Sequence, residues 1–217
     1  MPRSKKELSA EEIDYALSAL DDAFGTSELL TSIAPIRFMT SGGTLAVKYF
    51  RVRETTQDVD CLTDPNVDSA REYQNEIAQK VLEVARALRL ETDWFNDELK
   101  GFIQREKRLN LFLEAVEQNI VLFQGVNLVV YAARMEWQLE RKIRRIDAGT
   151  NKRGEFKDIA DAVSLIRFIK GGGPPLSLDY LRSLNFNGWE TPVSLPAIEK
   201  VRNEYLRVYG EFGIEEQ

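Results

Sequence analysis

Histidine does not occur anywhere in the 217 residues. That absence removes the Ser-His-Asp triad, the Cys-His pair, the histidine general base and the histidine-ligated zinc site in their usual forms. Any chemistry must run on carboxylates, lysine, arginine, hydroxyls or a hard metal ion. Cysteine occurs once, as Cys61, so no internal disulfide can form, in keeping with a reducing compartment. Its strand context marks it as a small core residue rather than a nucleophile. No apolar run approaches the ~20 residues of a membrane span, and the start from Met1 to Leu8 has basic residues without the apolar stretch of a signal peptide. The expected setting is cytoplasmic, or nuclear, with no membrane partner. An excess of positive charge is also missing: the net charge is −6. A globally basic nucleic-acid surface is thereby excluded, although a local basic patch is not.

What is present is enough apolar material for a core, 43% of residues, in a chain long enough to bury it. Ser9 followed by Glu12 is a capping-box pattern, and Ile13, Leu17, Leu20 and Phe24 recur at helical spacing, so residues 10–24 read as an amphipathic helix stopped by Gly25. Ile36 to Met39 reads as a short strand ending at Ser41-Gly42-Gly43, with a helix over Leu45 to Phe50. A second strand is expected from Val59 to Thr63, ended by a turn at Asp64-Pro65-Asn66. From Ser69 onward Ile77, Val81, Val84, Ala85 and Leu88 mark a long helix. The stretch 108–118 fits no one pattern. Ile120 to Phe123 and Leu128 to Ala132 flank Gln124-Gly125-Val126-Asn127 as a β-hairpin.

The last third changes character. Helices are expected over 135–147 and 155–170, a break at Gly171-Gly172-Gly173-Pro174-Pro175, and a final helix near Pro196 to Tyr209. The fold class is therefore α/β of the α+β kind: a small mixed sheet flanked by helices over 1–132, and a helical C-terminal part over 133–217 packed on it.

Two features carry candidate chemistry. Gly42 and Gly43 leave backbone open to a ligand at the start of a helix, whose first amides favour an anion, and Ser41 and Thr44 add hydroxyls. Asp58 and Asp60, two apart on a strand, present both carboxylates on one face while Val59 and Cys61 turn to the core. Two like charges so close call for a cation, and Mg²⁺ suits a pair of carboxylates that shares the ion with phosphate oxygens. Nucleotidyl transfer needs both parts, amides near a polyphosphate and carboxylates that hold divalent metal.

In this order, strand, Ser41-Gly42-Gly43, helix, then Arg53-Glu54-Thr55-Thr56-Gln57-Asp58-Val59-Asp60, the chain resembles the nucleotidyltransferase superfamily, and within it the minimal, AbiEii toxin-like branch. There an Arg and a Thr precede the DxD, as Arg53 and Thr56 do here. A lysine-bearing helix and a KDxxD helix follow the core of that branch; Lys142 and Lys157-Asp158-Ile159-Ala160-Asp161 match them. The resemblance spans residues 36–169. It implies Asp58 and Asp60 as catalytic metal ligands for Mg²⁺ or Mn²⁺, with Lys142, Asp158 and Asp161 in the active cleft. It also implies Ser41, Gly42, Gly43, Thr44, Arg53 and Thr56 on the nucleotide. An NTP would be the substrate and RNA, protein or a small molecule the acceptor.

Spacing alone reads some of these residues differently. Met135, Leu139, Lys142 and Ile146 form one stripe, so Lys142 either covers core with its stem, reaches a phosphate, or pairs with Asp158 or Asp161. The last two lie three apart on a helix and need a compensating cation. Trp94, Trp137 and Trp189 are expected in the core rather than stacked on a base. Arg141, Lys142, Arg144, Arg145, Lys152 and Arg153 form a basic run, expected mainly as a solvated face. Many members of the superfamily carry a third carboxylate on a later strand; here Leu128 to Ala132 places Asn127, Val129 and Tyr131 on one face, with Glu91, Asp93 and Asp97 as substitutes. Two functions follow: metal-dependent nucleotidyl transfer, or a non-catalytic binding or interaction module that keeps the fold.

Overall fold

A computed structural model describes residues 6–149 and 152–216, without the side chains of Lys152 and Arg153. The expectations for the first five positions and for those two basic side chains fall outside the described residues. The chain divides into two compact units, Met1–Ala133 and Arg134–Gln217.

The first unit opens with a two-residue strand, β1 (Leu8–Ser9), and helix α1 (Ala10–Gly25). The capping box forms: the Ser9 hydroxyl accepts from the Glu12 amide at 3.2 Å, and the Glu12 carboxylate accepts from the Ser9 amide at 3.0 Å. A short α2 (Glu28–Thr31) leads to strand β2 (Ile36–Thr40), helix α3 (Gly43–Lys48), β3 (Thr55–Thr56) and β4 (Val59–Thr63). The turn expected at Asp64 is a single helical turn, α4 (Pro65–Asp68). Asp64 caps it by accepting from the Asn66 amide at 3.0 Å, and Pro65 occupies the first helical position, where its missing N–H is harmless. The long helix α5 (Arg71–Leu88) follows, then β5 (Phe95–Asn96) and two 3₁₀ turns, Glu98–Phe102 and Arg105–Lys107. The ambiguous stretch is helix α6 (Arg108–Gln118), which buries Leu111, Phe112 and Ala115 and stops at Asn119 in a left-handed conformation. The hairpin β6 (Val121–Gln124) and β7 (Leu128–Ala132) closes the unit.

Five of these strands form one mixed sheet in the order β5-β4-β2-β7-β6. β2 runs antiparallel to β4, with Thr40 opposite Cys61, and parallel to β7, with Ile36 opposite Leu128 and Thr40 opposite Ala132. One face of the sheet, from Ile36, Phe38, Val59, Cys61, Leu128 and Val130, packs against Leu17, Leu20 and Phe24 of α1 and Ile77, Val81 and Val84 of α5. Each large apolar side chain buried there contributes about 1.5–3 kcal/mol relative to exposure. β1 and β3 form a separate two-stranded ribbon, with Leu8 opposite Thr56.

The second unit holds α7 (Met135–Asp147), α8 (Lys152–Lys170), α9 (Leu178–Ser183) and α10 (Leu195–Tyr209). α7 is buried on most of its circumference and packs against α8 and α10. The glycine-rich break does follow α8, but beyond it lies α9, capped by the Ser177 hydroxyl accepting from the Tyr180 amide at 3.1 Å. Its six residues are too few to show a helical period in sequence. Trp94 and Trp137 are buried as expected, whereas Trp189 is 51% exposed. The reason is local: Trp189 lies on the loop between α9 and α10, where the Arg144 guanidinium covers its ring at 5.5 Å. The same arginine donates to the Thr191 carbonyl at 3.0 Å.

Candidate functional site

The glycine turn between β2 and α3 and the segment carrying Asp58 and Asp60 at the start of β4 are tied to each other by hydroxyls. Thr40, the last residue of β2, donates from Oγ1 to the Asp60 carbonyl at 2.6 Å. Thr44, in the first turn of α3, and Thr56, on β3, both reach the Asp58 carbonyl at 3.4 Å. The ends of β2, α3, β3 and β4 therefore meet at one place, and Ser41, Gly42, Gly43, Thr44, Thr56, Asp58 and Asp60 all belong to it.

The two glycines are there for different reasons. Gly42 has φ 70° and ψ −122°, a conformation essentially closed to side-chain-bearing residues, and the space where its Cβ would lie is open. At Gly43 the equivalent space is filled, because a Cβ would overlap Oγ1 of Thr56 and lie 3.0 Å from its Cβ. The expectation of bare backbone at both positions holds as open space at Gly42 alone; Gly43 is a close-packing contact with β3. Thr44 and Ser41 are buried, and Arg53 is half-buried on the loop between α3 and β3.

Asp58 and Asp60 are both half-buried, while Val59 and Cys61 between and beyond them are core residues. Alternation along β4 sends the Asp60 carboxylate to the face opposite α1 and α5. The strand begins at Val59, so Asp58, expected on the strand, is instead the residue just before it. Burial, followed by the nearby carboxylates of Asp97 and Asp60, pushes the Cys61 thiol well above its ordinary pKa, so it stays protonated. Its Sγ lies 3.0 Å from the Asn96 carbonyl.

Two carboxylates two residues apart at the start of β4 fit the donor set of Mg²⁺, which characteristically takes one or two protein carboxylates and completes its shell with substrate phosphates and water. Among the described residues, no group of three or more acidic or cysteine side chains is gathered closely enough to hold a metal ion alone. β7 presents no acid beside them: Asn127 precedes it, and Val129 and Tyr131 lie on it, Tyr131 opposite Met39 of β2. Of the possible substitutes, Glu91 is exposed, Asp93 is half-buried, and Asp97 is bound by Lys100 at 2.7 Å.

In the second unit Lys142, Asp158 and Asp161 do come together. The Lys142 Nζ lies 2.9 Å from Oδ1 of Asp158 and 2.6 Å from Oδ2 of Asp161, and the Arg145 Nε lies 3.1 Å from Oδ2 of Asp158. The lysine and both aspartates are buried. The cluster pins α7 to α8 and gives the two like-charged carboxylates the cation that their spacing requires. Arg145 was expected only as part of a solvated basic run; three residues beyond Lys142 on the same helix, it pairs with Asp158 instead. Thr40 was missed; its only signal is its place immediately before Ser41-Gly42-Gly43. No protein-family model, curated protein or solved structure matches the chain.

Proposed function

We propose that the glycine turn and the Asp58/Asp60 strand form a site for a metal-bound nucleoside triphosphate, and that the protein transfers a nucleotidyl group to an acceptor. The observation that carries this reading is the Thr40 hydroxyl bonded at 2.6 Å to the Asp60 carbonyl, which fixes the aspartate strand beside the turn at Gly42. In this reading Asp58 and Asp60 hold Mg²⁺ or Mn²⁺, and the open backbone at Gly42, with Ser41 and the first amides of α3, receives the phosphates. The metal, when bound, polarises the phosphoryl oxygens and screens the charge that develops on them. Arg53, Thr44 and Thr56 shape the wall of the site, Thr44 and Thr56 by fixing the Asp58 carbonyl. Lys142, Asp158 and Asp161 act in this reading as one ionic unit. The acceptor is RNA, a protein or a small molecule.

Incubation with labelled NTPs, Mg²⁺ or Mn²⁺ and each class of acceptor tests the reading. Label transfer by the native chain that disappears in Asp58→Asn is the expected result. The face of β7, with Val129 and Tyr131 where an acid would serve, favours a second reading, a module that binds nucleotide without turnover. Nucleotide-dependent thermal stabilisation with no transfer to any acceptor selects that one. Neither transfer nor stabilisation sinks both.

A further inference from the structure

On the other face of β4 from Asp60, a cavity of about 410 Å³ opens between α5 and the β4–β5 edge of the sheet. Its volume lies within the range of roughly 300–1,000 Å³ typical of small-molecule sites. The apolar wall comes from Phe38, Cys61, Ile77, Val81 and Phe95, every one of them a core residue. Alternation along the strand separates it from the proposed nucleotide site: Asp60 and Cys61 are consecutive, so their side chains leave opposite faces.

Three charged residues line the same cavity, Asp68 from α4, and Asp97 and Lys100 from the segment after β5. Lys100 is shared between both acids, 2.6 Å from Oδ1 of Asp68 and 2.7 Å from Oδ2 of Asp97. Burial pulls the Lys100 pKa down, and the hydrogen bonds to the two carboxylates more than offset it, so the lysine is firmly charged. Two carboxylates against one ammonium leave one net negative charge at the cavity. The effect reaches its wall: after burial, the charges of Asp97, Asp60 and Asp68 help to hold the Cys61 thiol protonated, against the opposing Lys100.

We infer that this cavity is a binding site for a small organic ammonium ion with an apolar body, the body lying against Cys61, Ile77 and Phe95 and the cationic head beside Asp68 and Asp97. An anionic ligand would meet a net negative rim, and a purely apolar one would leave the acids without gain from the contact. Binding in this cavity requires no nucleotide at the glycine turn.

Calorimetric titration of the full chain with hexylammonium, hexanol and hexanoate decides it. Hexylammonium should bind saturably, hexanol more weakly and hexanoate not at all. Asp97→Asn, at an exposed position, should weaken hexylammonium by about fivefold and leave hexanol unchanged. Ala78→Trp, at the mouth of the cavity on α5, should abolish binding while the far-UV circular dichroism stays native. Equal binding of the three probes, binding that persists in Ala78→Trp, or no binding of hexylammonium overturns the inference. Should Ala78→Trp fail to fold, the probe series and Asp97→Asn still decide.

Discussion

Asp21 lies against Gly125 so closely that a Cβ at position 125 would overlap the Asp21 carboxylate. From helix α1 that carboxylate accepts the amides of Val126, Asn127 and Leu128 at 3.1, 2.7 and 2.8 Å, and so closes the turn of the β6–β7 hairpin from outside the sheet. A backbone turn with three converging N–H groups is an anion-binding concavity, and here the protein fills it with its own side chain. Asp21→Ala should destabilise the first unit by about 3 kcal/mol, because three amides, that of Leu128 buried, lose a charged acceptor. Gly125→Ala should act in the same direction. Urea unfolding followed by circular dichroism measures both; no change in either variant would show that the turn holds itself.

The contact between Gly43 and Thr56 predicts a specific coupling. Gly43→Ala should cost about 1–3 kcal/mol through overpacking, and Thr56→Ala, which removes the overlapped oxygen, should return part of that loss in the double variant. A double-mutant cycle reads the interaction directly. Strictly additive effects would mean that the glycine serves something other than this contact.

For the cluster on α7 and α8, removing the cation is expected to be far more harmful than removing the whole set of charges. Lys142→Met leaves Asp158 and Asp161 buried without the ammonium they share, Arg145 staying on Asp158, and should cost about 3–5 kcal/mol. Adding Asp158→Asn and Asp161→Asn should recover much of it. Thermal melts of the single and triple variants compare the two, and a triple variant no more stable than Lys142→Met contradicts the assignment.

The capping box gives a pH dependence. The backbone hydrogen bond from Ser9, then the Lys6 ammonium, hold the Glu12 carboxyl below its ordinary value of 4.5. A carboxyl with a depressed folded pKa adds stability above its unfolded pKa and loses it as pH falls through the folded one. Acid titration should therefore fray the start of α1 as the pH falls below about 4.5, and Glu12→Gln should remove that step. Amide hydrogen exchange at Glu12 across the pH series is the readout; an unchanged profile in Glu12→Gln would show that the step belongs to other carboxyls. Glu12 is substantially exposed, so the amplitude will be small.

The elements that could be read from sequence are those whose pattern repeats. α1, α5 and α7 each show several helical periods of apolar residues, and the reciprocal Ser9 and Glu12 pair marks where α1 begins. β4 was legible because Val59 and Cys61 alternate with Asp60. α4 and α9 span four and six residues, too short for any period, and only their caps, Asp64 and Ser177, betray them. At the site, the residue types of the glycine turn and the aspartate pair could be read, but the reason for Gly43 could not. That reason is Thr56, on a two-residue strand whose partner is β1 near the start of the chain. Trp189 was misjudged because aromatic identity says nothing of loop position; the stacked Arg144 that covers its ring comes from a helix more than forty residues earlier.

The parallel pairing of β2 with β7 joins segments roughly ninety residues apart. A ribosome that has delivered Thr40 must still deliver the long α5, α6 and the hairpin before the middle of the sheet gains its second neighbour. Until then β2 exposes an open hydrogen-bonding edge, the kind of nascent chain that invites off-pathway association. Splitting the gene anywhere between these two strands should yield fragments that are poorly behaved alone and regain solubility only when expressed together.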